Sequence, residues 1–473
     1  MPSIWEQEVS IEPRAALEEK VDADVCVIGA GLAGLNCARL LSEAGARVVV
    51  LEAERIAGGQ TARTTGKISA GQEIVYSKLG KHAVHYAEAQ RMALERYRQL
   101  AKQYDFALEQ RDHYLFALED GQPLREELEA MREAGLDAFW ADETELKLSL
   151  AGAVGLGAQA CFHPLRYARA IAEGLTIYEH SRALHVTAGR VATARGEVRA
   201  PHIIVATNYP FINAPGLYFL HLRQSRSFAA AIEGVPPPEA MHLDAAPGGL
   251  SIRPYGRYTV ILIGDEPTGH NEGTQFARLD QWIAQLYPGA RVAARWSAQD
   301  AVSADHLPYA GRYAPGAEGR YVATGFRKWG MTGSMAAAIA LTDLIRGREP
   351  PDWTRAFDPA RSPLGVLPGV LEGAGAAVQG LSARLIPPDA SQTPLTPGEA
   401  RVMLWEGRAA AVYRDKNGHI HLASPACTHM GCRLNWNADD ITWDCPCHGS
   451  RFDVDGRLLD GPAQRDAEVA PDA

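Results

Sequence analysis

The residues best suited to chemistry lie near the C-terminus, where cysteines and histidines follow one another at short spacing. Cys427 and His429 form a C-x-H pair, and Cys445 and His448 form a C-x-x-H pair. Two thiolates and two imidazoles can hold a tetrahedral Zn²⁺ ion or an iron–sulfur cluster. The chain has 7 cysteines, and most of them fall in this short region, which in a long chain indicates metal binding before a structural disulfide framework. The sequence therefore predicts a metal centre here.

The loops that carry these residues resemble those of Rieske proteins. They read Cys-Thr-His-Met-Gly-Cys from residue 427 and Cys-Pro-Cys-His-Gly-Ser from residue 445. The resemblance implies a [2Fe–2S] cluster with four ligands: Cys427, His429, Cys445 and His448. It also implies a disulfide between Cys432 and Cys447, as in the high-potential group. Zinc is the alternative, although a zinc site needs no extra cysteine pair.

Two further residues bear on the potential of such a cluster. Replacing two thiolates by histidines raises the reduction potential to between about −150 and +300 mV. Ser450 matches the family hydroxyl that bonds a bridging sulfide, whereas Phe452 stands where the high-potential group often has tyrosine. We therefore expect one potential-raising hydrogen bond to be missing. Phe452, Trp436 and Trp443 are expected to form the core of a small β domain.

A second distinctive segment lies near the N-terminus. The apolar run 25–28 precedes Gly29, Gly31 and Gly34, spaced as G-x-G-x-x-G, and a helical stretch follows. Between a strand and a helix, these glycines allow a tight turn and let the backbone approach a pyrophosphate at the helix N-terminus. Glu52 ends the next apolar run and is predicted to accept a hydrogen bond from a ribose hydroxyl. The sequence predicts a dinucleotide site.

Four later segments resemble the D-amino-acid oxidase and glycine oxidase superfamily of flavoproteins. They are residues 55–61, 163–167, 203–207 and 323–332, in the family's order. The resemblance covers most of residues 20–350 and implies FAD, and no second G-x-G-x-x-G follows a strand as an NAD(P)H domain would require. The cofactor contacts that it adds are Arg55, Gly58, Gly59, Thr61, Thr65, Gly325, Gly330, Met331 and Thr332.

The elements that must position these residues form two units joined by a linker. A chain of 473 residues is expected to form two or three domains. We predict an α/β FAD-binding Rossmann-type domain with an inserted antiparallel substrate sheet over residues 20–358, and a small all-β Rieske domain over residues 398–473. The segment between them, 359–397, is rich in Pro, Gly, Ala and Ser and reads as a linker. Its apolar part, 364–381, could pack as one helix or touch a membrane, but it lacks the basic face of interfacial helices.

Finer patterns predict individual elements of both units. Helices are expected at 81–104, 124–133 and 334–346, an antiparallel meander at 181–208 and a strand at 222–228. In the second unit, strands are expected at 402–404, 409–413 and 419–422.

Composition excludes several classes of function. The charge balance is 47 Lys and Arg against 57 Asp and Glu, a net charge of −10, and no basic cluster interleaves with aromatics, so nucleic acid is not expected as a partner. No uninterrupted apolar run is long enough for a transmembrane helix. The first 20 residues contain no apolar signal-peptide region, so we expect a cytoplasmic protein.

The superfamily resemblance implies oxidation of a C–N bond in a small amine or amino acid, with hydride transfer to FAD. Because a Rieske centre moves single electrons, we predict that electrons pass through the cluster to an external acceptor, either a protein or a quinone. Two alternatives stay open: a redox partner protein without small-molecule turnover, and a reductase in which the cluster feeds the flavin.

Three residues are the candidates for catalysis. Arg253 could hold a substrate carboxylate in a bidentate pair, His306 could act as a base, and Lys328 lies in the last family-like segment. The sequence indicates no clear base. Other side chains that could face the substrate are Arg223, Arg226, Tyr255 and Tyr309.

Overall fold

The computed structural model describes residues 1–270, 272–361 and 394–469. The predicted linker therefore lies mostly outside the described residues, and so does its apolar part, 364–381. Within the described ranges, no helix combines the length and the apolar character that crossing a membrane requires.

The nucleotide sheet is built on the two apolar runs that flank the glycine motif. Val25–Ile28 and Val48–Leu51 are buried at every position, as expected for parallel strands covered on both faces. Neighbouring strands pair in parallel except at one edge, where Tyr309–Arg312 and Arg320–Thr324 are antiparallel. In spatial order they are Tyr309–Arg312, Arg320–Thr324, His202–Val205, Val25–Ile28, Val48–Leu51 and Thr176–Tyr178.

Helices cover one face of this sheet, and a small sheet packs near the other. Leu32–Glu43 contacts Pro164–Ala172 and Gly330–Ile345, which in turn contacts Ala83–Ala101. The small sheet has the strands Lys20–Asp22, Glu197–Arg199, Arg190–Ala192 and His185–Thr187. Its last three strands form the predicted antiparallel meander, and the next strand, His202–Val205, joins the nucleotide sheet as expected.

The substrate sheet is the predicted insertion and is almost entirely antiparallel. Its spatial order is Arg291–Ser303, Leu222–Glu233, Tyr258–Pro267, Ser251–Tyr255, Met241–Asp244, Glu109–Ala117, Gly152–Cys161 and Lys67–Ile68, with Ala138–Ala141 paired to Gly152–Cys161. The predicted strand 222–228 continues to Glu233, because the alanine-rich run that follows is buried throughout. Helix Gln275–Leu286 packs on this sheet through Phe276 and Leu279.

The remaining helices match the predictions closely, with shifts at their ends. The helix predicted at 81–104 is Ala83–Ala101, and that at 124–133 is Gln122–Glu133, which begins earlier because proline suits the first turn. The helix predicted at 334–346 begins four residues earlier, at Gly330. The short helices are Ile4–Glu8, Gln60–Arg63, Tyr76–Leu79, Gly80–His82, Tyr218–Leu220 and Asp352–Phe357.

The C-terminal unit is all-β, as predicted. A three-stranded sheet contains Ala400–Trp405, Arg408–Arg414 and Ile420–Ala423, and a four-stranded sheet contains Asn435–Asn437, Thr442–Asp444, Arg451–Phe452 and Leu458–Asp460. Trp443 and Phe452 are buried in its core. Trp436 is partly buried and stacks on Tyr413.

Candidate flavin cavity and cluster site

The glycine turn admits no side chain at two of its positions. Gly29 has φ +104°, and a Cβ on it would lie 2.6 Å from the carbonyl oxygen of Ala206. A Cβ on Gly34 would lie 1.8 Å from the carbonyl oxygen of Gly29. The turn can therefore form only with glycine at both positions, and it exposes the N-terminus of helix Leu32–Glu43. The Thr61 hydroxyl accepts a 2.9 Å hydrogen bond from the amide of Leu32 at this helix end.

Glu52 lies at the end of the neighbouring strand and is fixed from both sides. One carboxylate oxygen accepts from the amide of Ala30 at 2.7 Å, and the other accepts from the amide of Glu54 at 2.9 Å. Burial raises the pKa of Glu52. Because an ionised carboxylate offers about four acceptor positions, Glu52 keeps capacity for a further donor from the cavity that it lines.

A large cavity runs past this turn between the nucleotide sheet and the substrate sheet. It encloses about 2140 Å³ including its open mouth. A helix N-terminus with free amides, side-chain-free glycines and an acidic residue at the next strand end fit a dinucleotide such as FAD. The predicted cofactor residues that line the cavity are Gly29, Gly31, Glu52, Gly58, Gly59, Thr61, Thr65, Gly330 and Met331.

Four predicted cofactor residues are not in the lining. Gly34 packs against Gly29, and the carbonyl of Arg55 accepts from Gly58 at 3.0 Å, which closes the loop. Gly325 has φ +71° in the turn before helix Gly330–Ile345. The Thr332 side chain is buried within that helix and accepts from Gln72 at 3.4 Å. The structure therefore gives these residues places in the framework behind the cavity.

The far part of the cavity carries charges of both signs. The Lys328 ammonium donates to the Ser227 hydroxyl at 2.6 Å and to the Gly264 carbonyl at 2.9 Å, and it lies 3.5 Å from the Asp265 carboxylate. Asp300 also lines the cavity, and burial raises its pKa to about 6. Lysine and carboxylate thus face the same space.

Two more cationic groups line the cavity. Arg327 pairs with Glu73 through Nη2, while its buried Nη1 has no hydrogen-bond partner among the described residues. Lys67 donates to the His242 carbonyl at 3.2 Å, and burial, followed by the charge of Arg253, lowers its pKa to about 7. Sequence reasoning missed Asp300, Arg327 and Lys67, because single charged residues in strands and turns carry no motif.

Arg253 and His306, predicted as catalytic, are not among the residues lining the cavity. Arg253 is 1% exposed, and its Nη1 donates to three backbone carbonyls at 3.0–3.2 Å, those of Thr65, Gly66 and Phe162. It therefore clamps the loop after the short helix Gln60–Arg63. His306 lies in a turn with φ +65°, and burial lowers its pKa to about 4.

The other side chains considered as substrate-facing have different surroundings. Arg226 is fully buried and pairs with Asp440 of the C-terminal unit. The Arg223 side chain is 47% exposed. Tyr255 donates to Glu8, and Tyr309 packs against the Arg361 guanidinium, 3.8 Å from the ring centroid. The sequence could not show the partners of Arg226, Tyr255 and Tyr309, because alternation along a strand does not reveal what covers each face.

The cluster loops bring the four predicted ligands together. The thiols of Cys427 and Cys445 contact each other, and the rings of His429 and His448 have centroids 5.0 Å apart. Both histidine Nδ1 atoms are buried without a hydrogen-bond partner in the described chain, an arrangement that leaves them available to a metal. Two thiols and two unpartnered imidazole nitrogens fit a [2Fe–2S] cluster of the Rieske type.

A disulfide joins the two cluster loops. It links Cys432 and Cys447, as the resemblance implied. The sulfur atoms of these residues and of Cys445 lie within 4.8 Å of one another, but the disulfide leaves only Cys445 of the three as a thiol ligand. The Ser450 hydroxyl contacts the Cys427 thiol and accepts from the amide of Ala463 at 3.0 Å.

The C-terminal unit docks on the substrate sheet beside the cavity through buried polar contacts. Asp440 pairs with Arg226 and accepts from Ser297 at 2.5 Å and from Arg451 at 3.0 Å. Burial alone would raise the pKa of Asp440, but the charges of Arg226 and Arg451 hold it well below its usual range.

Two glutamines connect the cavity side to the cluster loop. Gln224 lines the cavity, and its amide donates to the His448 carbonyl at 2.7 Å. The Gln299 amide donates to the Gln224 oxygen at 2.6 Å and to the Gly449 carbonyl at 2.9 Å. A Cβ on Gly449 would lie 2.6 Å from the Gln224 Cβ, so this close approach requires glycine.

Comparison with known proteins agrees with this geometry. The family model "FAD dependent oxidoreductase" (DAO) matches residues 24–344. The chain belongs to the DAO family of FAD-dependent oxidoreductases. A second model, the Rieske [2Fe-2S] domain, matches residues 387–471. These matches confirm the predicted fold class and assign FAD and a [2Fe–2S] cluster, not Zn²⁺, to this DAO-family protein.

One relative resembles the whole chain. The Rieske 2Fe-2S iron-sulfur protein YhfW of Bacillus subtilis is 32% identical over 490 aligned residues, which cover 97% of this chain and 95% of YhfW. The cytochrome b6-f complex iron-sulfur subunit 1 of Synechocystis is 53% identical over 38 residues, 8% of this chain and 21% of that subunit. The two-domain arrangement is therefore shared with YhfW.

Solved structures resemble the fold of the N-terminal unit. Glycine oxidase from Geobacillus kaustophilus superposes with a TM-score of 0.63 at 20% identity, covering 72% of this chain and 99% of that chain. L-Proline dehydrogenase from P. horikoshii gives a TM-score of 0.63 at 19% identity, covering 73% and 98%. At this identity, the likeness shows a shared fold.

Replacing Glu52 by alanine should weaken FAD retention by about 10- to 100-fold, because a hydrogen bond to a charged group contributes about 1.5–3 kcal/mol. Flavin absorbance per protein after gel filtration measures the retention. The exposed Glu126→Ala variant is the control and should keep wild-type occupancy. Full occupancy in Glu52→Ala would remove Glu52 from the cofactor site.

The Asp440→Asn variant should lose about 3–5 kcal/mol of stability, because it leaves the buried Arg226 charge uncompensated. The readout is a lower thermal unfolding midpoint, and Asp352→Asn, whose side chain is 75% exposed, should not change it.

The difference in thermal unfolding midpoint between wild type and Asp440→Asn should depend on pH, because the pKa of Asp440 is lowered in the folded protein. The stabilisation is present above the unfolded value, about 3.9, and is lost as the pH falls through the lower folded value. The midpoints of wild type and Asp440→Asn should therefore converge below about pH 4. Equal midpoints at pH 7 would contradict the assignment.

Proposed function

We propose that this protein oxidises the C–N bond of a small amine or amino acid at FAD and passes the electrons singly through the Rieske cluster to an external acceptor. The observation that carries the proposal is the position of Gln224, which both lines the cavity and donates to the His448 carbonyl at 2.7 Å. A residue of the substrate sheet thus contacts the backbone of a predicted cluster ligand. This contact supports electron transfer between the two sites.

Hydrogen bonds of side chains and backbone groups connect the two sites. The side-chain amide of Gln299 bridges Gln224 and the Gly449 carbonyl, and the backbone amide of Gln299 donates to the side-chain oxygen of Gln60 at 2.6 Å. Gln60 follows the second glycine pair, Gly58 and Gly59, directly in the sequence. Hydrogen bonds therefore link the loop that bounds the flavin side of the cavity to the cluster loop.

The substrate class follows from the charges in the cavity. Arg327 lines the cavity, where its guanidinium can donate to a carboxylate oxygen, and Asp300 can accept from an ammonium group. An α-amino acid carries both groups on one carbon. Two structures of similar fold are a glycine oxidase and an L-proline dehydrogenase, which supports small amino acids as the first compounds to test.

Asp300 is the residue that we assign to proton transfer. FAD supplies the acceptor for the hydride that leaves the substrate carbon. The Asp300 carboxylate takes the proton of the substrate ammonium group, so that the nitrogen lone pair can form the C=N bond of the imine. Its pKa of about 6 leaves it ionised at neutral pH and close to the value that suits a base.

The acceptor is proposed to approach the cluster at His429. His448 is 5% exposed and packs edge-on against Phe219, whereas His429 is less buried and has its Nε2 3.1 Å from the Asn213 side-chain oxygen. Met430, the next residue, is 42% exposed. A protein or quinone acceptor can reach this edge from solvent.

Asp300→Asn should lower kcat/KM for an amino-acid substrate about 100-fold, within the range of general-base effects. In the wild type, kcat/KM should rise with pH through about 6, because the ionised carboxylate is the active form. The variant should lose this limb while keeping its flavin absorbance and cluster EPR signal. An acid limb that persists near pH 6 in Asp300→Asn would assign it to another group.

The Cys427→Ser variant tests the electron route. It should retain FAD and still show anaerobic flavin bleaching by substrate, but its reduction of ferric cytochrome c should fall at least about 100-fold because a cluster ligand is lost. Glycine, L-proline and small amines form the substrate panel. Unchanged cytochrome c reduction would show that electrons do not leave through the cluster. If the wild-type flavin is bleached only when the cluster is reduced, and not by substrate, the reductase alternative is favoured.

A further inference from the structure

The C-terminal unit supplies part of the wall of the flavin cavity. Five residues of one segment line the cavity: Leu459, Asp460, Gly461, Pro462 and Gln464. The segment includes the end of the last strand, Leu458–Asp460, and the turn that follows it. The cavity thus draws its lining from both units, although the family match for the flavoprotein unit ends at residue 344.

The wall segment contacts the side of the cavity where the nucleotide loops lie. The Gln60 amide donates to the Asp460 carboxylate at 2.9 Å. The Arg457 guanidinium lies 3.6 Å from the carboxylate of Glu54, two residues after Glu52. These contacts place the segment against the loop of the second glycine pair and against the acidic strand end.

The same segment is held by both cluster loops. The Ser450 hydroxyl accepts from the amide of Ala463 at 3.0 Å, and Arg451 donates to Asp460 at 3.1 Å. From the other cluster loop, the Thr428 hydroxyl donates to the carbonyl of Arg465 at 2.6 Å. One cluster loop is therefore bonded to the segment that closes the cavity, and the other is bonded to Arg465, the residue that follows the segment.

The negative charge of Asp460 is balanced by neighbouring arginines, so this wall does not repel the phosphates of a nucleotide. The Asp460 carboxylate is paired with Arg451, and the charge of Arg63, which also lines the cavity, acts on it. The Gly461 carbonyl accepts from Gln224 at 2.9 Å. The polar groups facing the cavity from this segment are thereby neutralised or bonded.

We infer that residues 459–464 of the Rieske domain are part of the FAD-binding site, and that an assembled cluster and bound FAD strengthen each other's retention. Because the cluster loops hold the wall segment in one conformation, its contacts with FAD are in place when FAD binds. By thermodynamic reciprocity, bound FAD stabilises the conformation in which those loops are held. The inference does not depend on the substrate or on the direction of electron flow.

The test measures FAD affinity in the full-length protein with its cluster in place. FAD is removed, and the dissociation constant is obtained from the quenching of flavin fluorescence on re-addition. Asp460→Ala should raise this constant about tenfold, a size typical of coupling between sites. The control is Asp455→Ala, an exposed carboxylate of the same domain, which should leave the constant unchanged.

A second variant covers the case in which Asp460→Ala disturbs the domain. Gln464→Ala removes a partly exposed amide at the cavity surface, which donates to the Pro462 carbonyl at 3.4 Å. It should raise the FAD dissociation constant severalfold while the Rieske EPR signal stays at wild-type intensity. If the constant in Gln464→Ala, and in Asp460→Ala where its cluster is intact, stays within twofold of wild type, the inference is wrong.

Discussion

The docking of the C-terminal domain depends on one buried ion pair, between Arg226 and Asp440. Arg226 is fully buried and lies in a strand of the substrate sheet, and Asp440 lies in a turn of the Rieske domain. A buried guanidinium without a counter-charge is strongly destabilising, so the substrate sheet presents a surface that is complete only when the Rieske domain covers it. Arg451 shares Asp440 and extends the network to Asp444 and Asp460.

This constraint determines where the cluster lies. Because Asp440 fixes the four-stranded sheet of the Rieske domain, the cluster loop at 445–450 meets Gln224 and Gln299 rather than solvent. The less buried ligand, His429, lies beside the loop that contains Asn213, whose side-chain oxygen is 3.1 Å from the His429 Nε2. The ion pair between Arg226 and Asp440 therefore acts together with the glutamine contacts to hold the cluster loop against the substrate sheet.

The sequence predicted the features that depend on local sterics and spacing. Gly29 and Gly34 could be recognised because any side chain there would collide with backbone, and the cluster ligands because their spacing is set by two short loops. Arg253 and Arg226 are both strand arginines whose partners a strand pattern does not reveal: the first is bonded to three loop carbonyls and the second to another domain. Asp300 was missed because only the folded sheet shows that its strand faces the cavity.

The contact between the two domains also explains why the cavity cannot be understood from the flavoprotein fold alone. In that fold the glycine turn, Glu52 and the second glycine pair provide one side of the nucleotide site, and the substrate sheet provides another. Here the turn at 460–464 covers the remaining side. It is bonded to Ser450 of one cluster loop, and the next residue, Arg465, is bonded to Thr428 of the other. A change that loosens a cluster loop must therefore also move a wall of the cavity, since closely packed interiors transmit displacement. The two redox sites are coupled through structure before any electron passes between them.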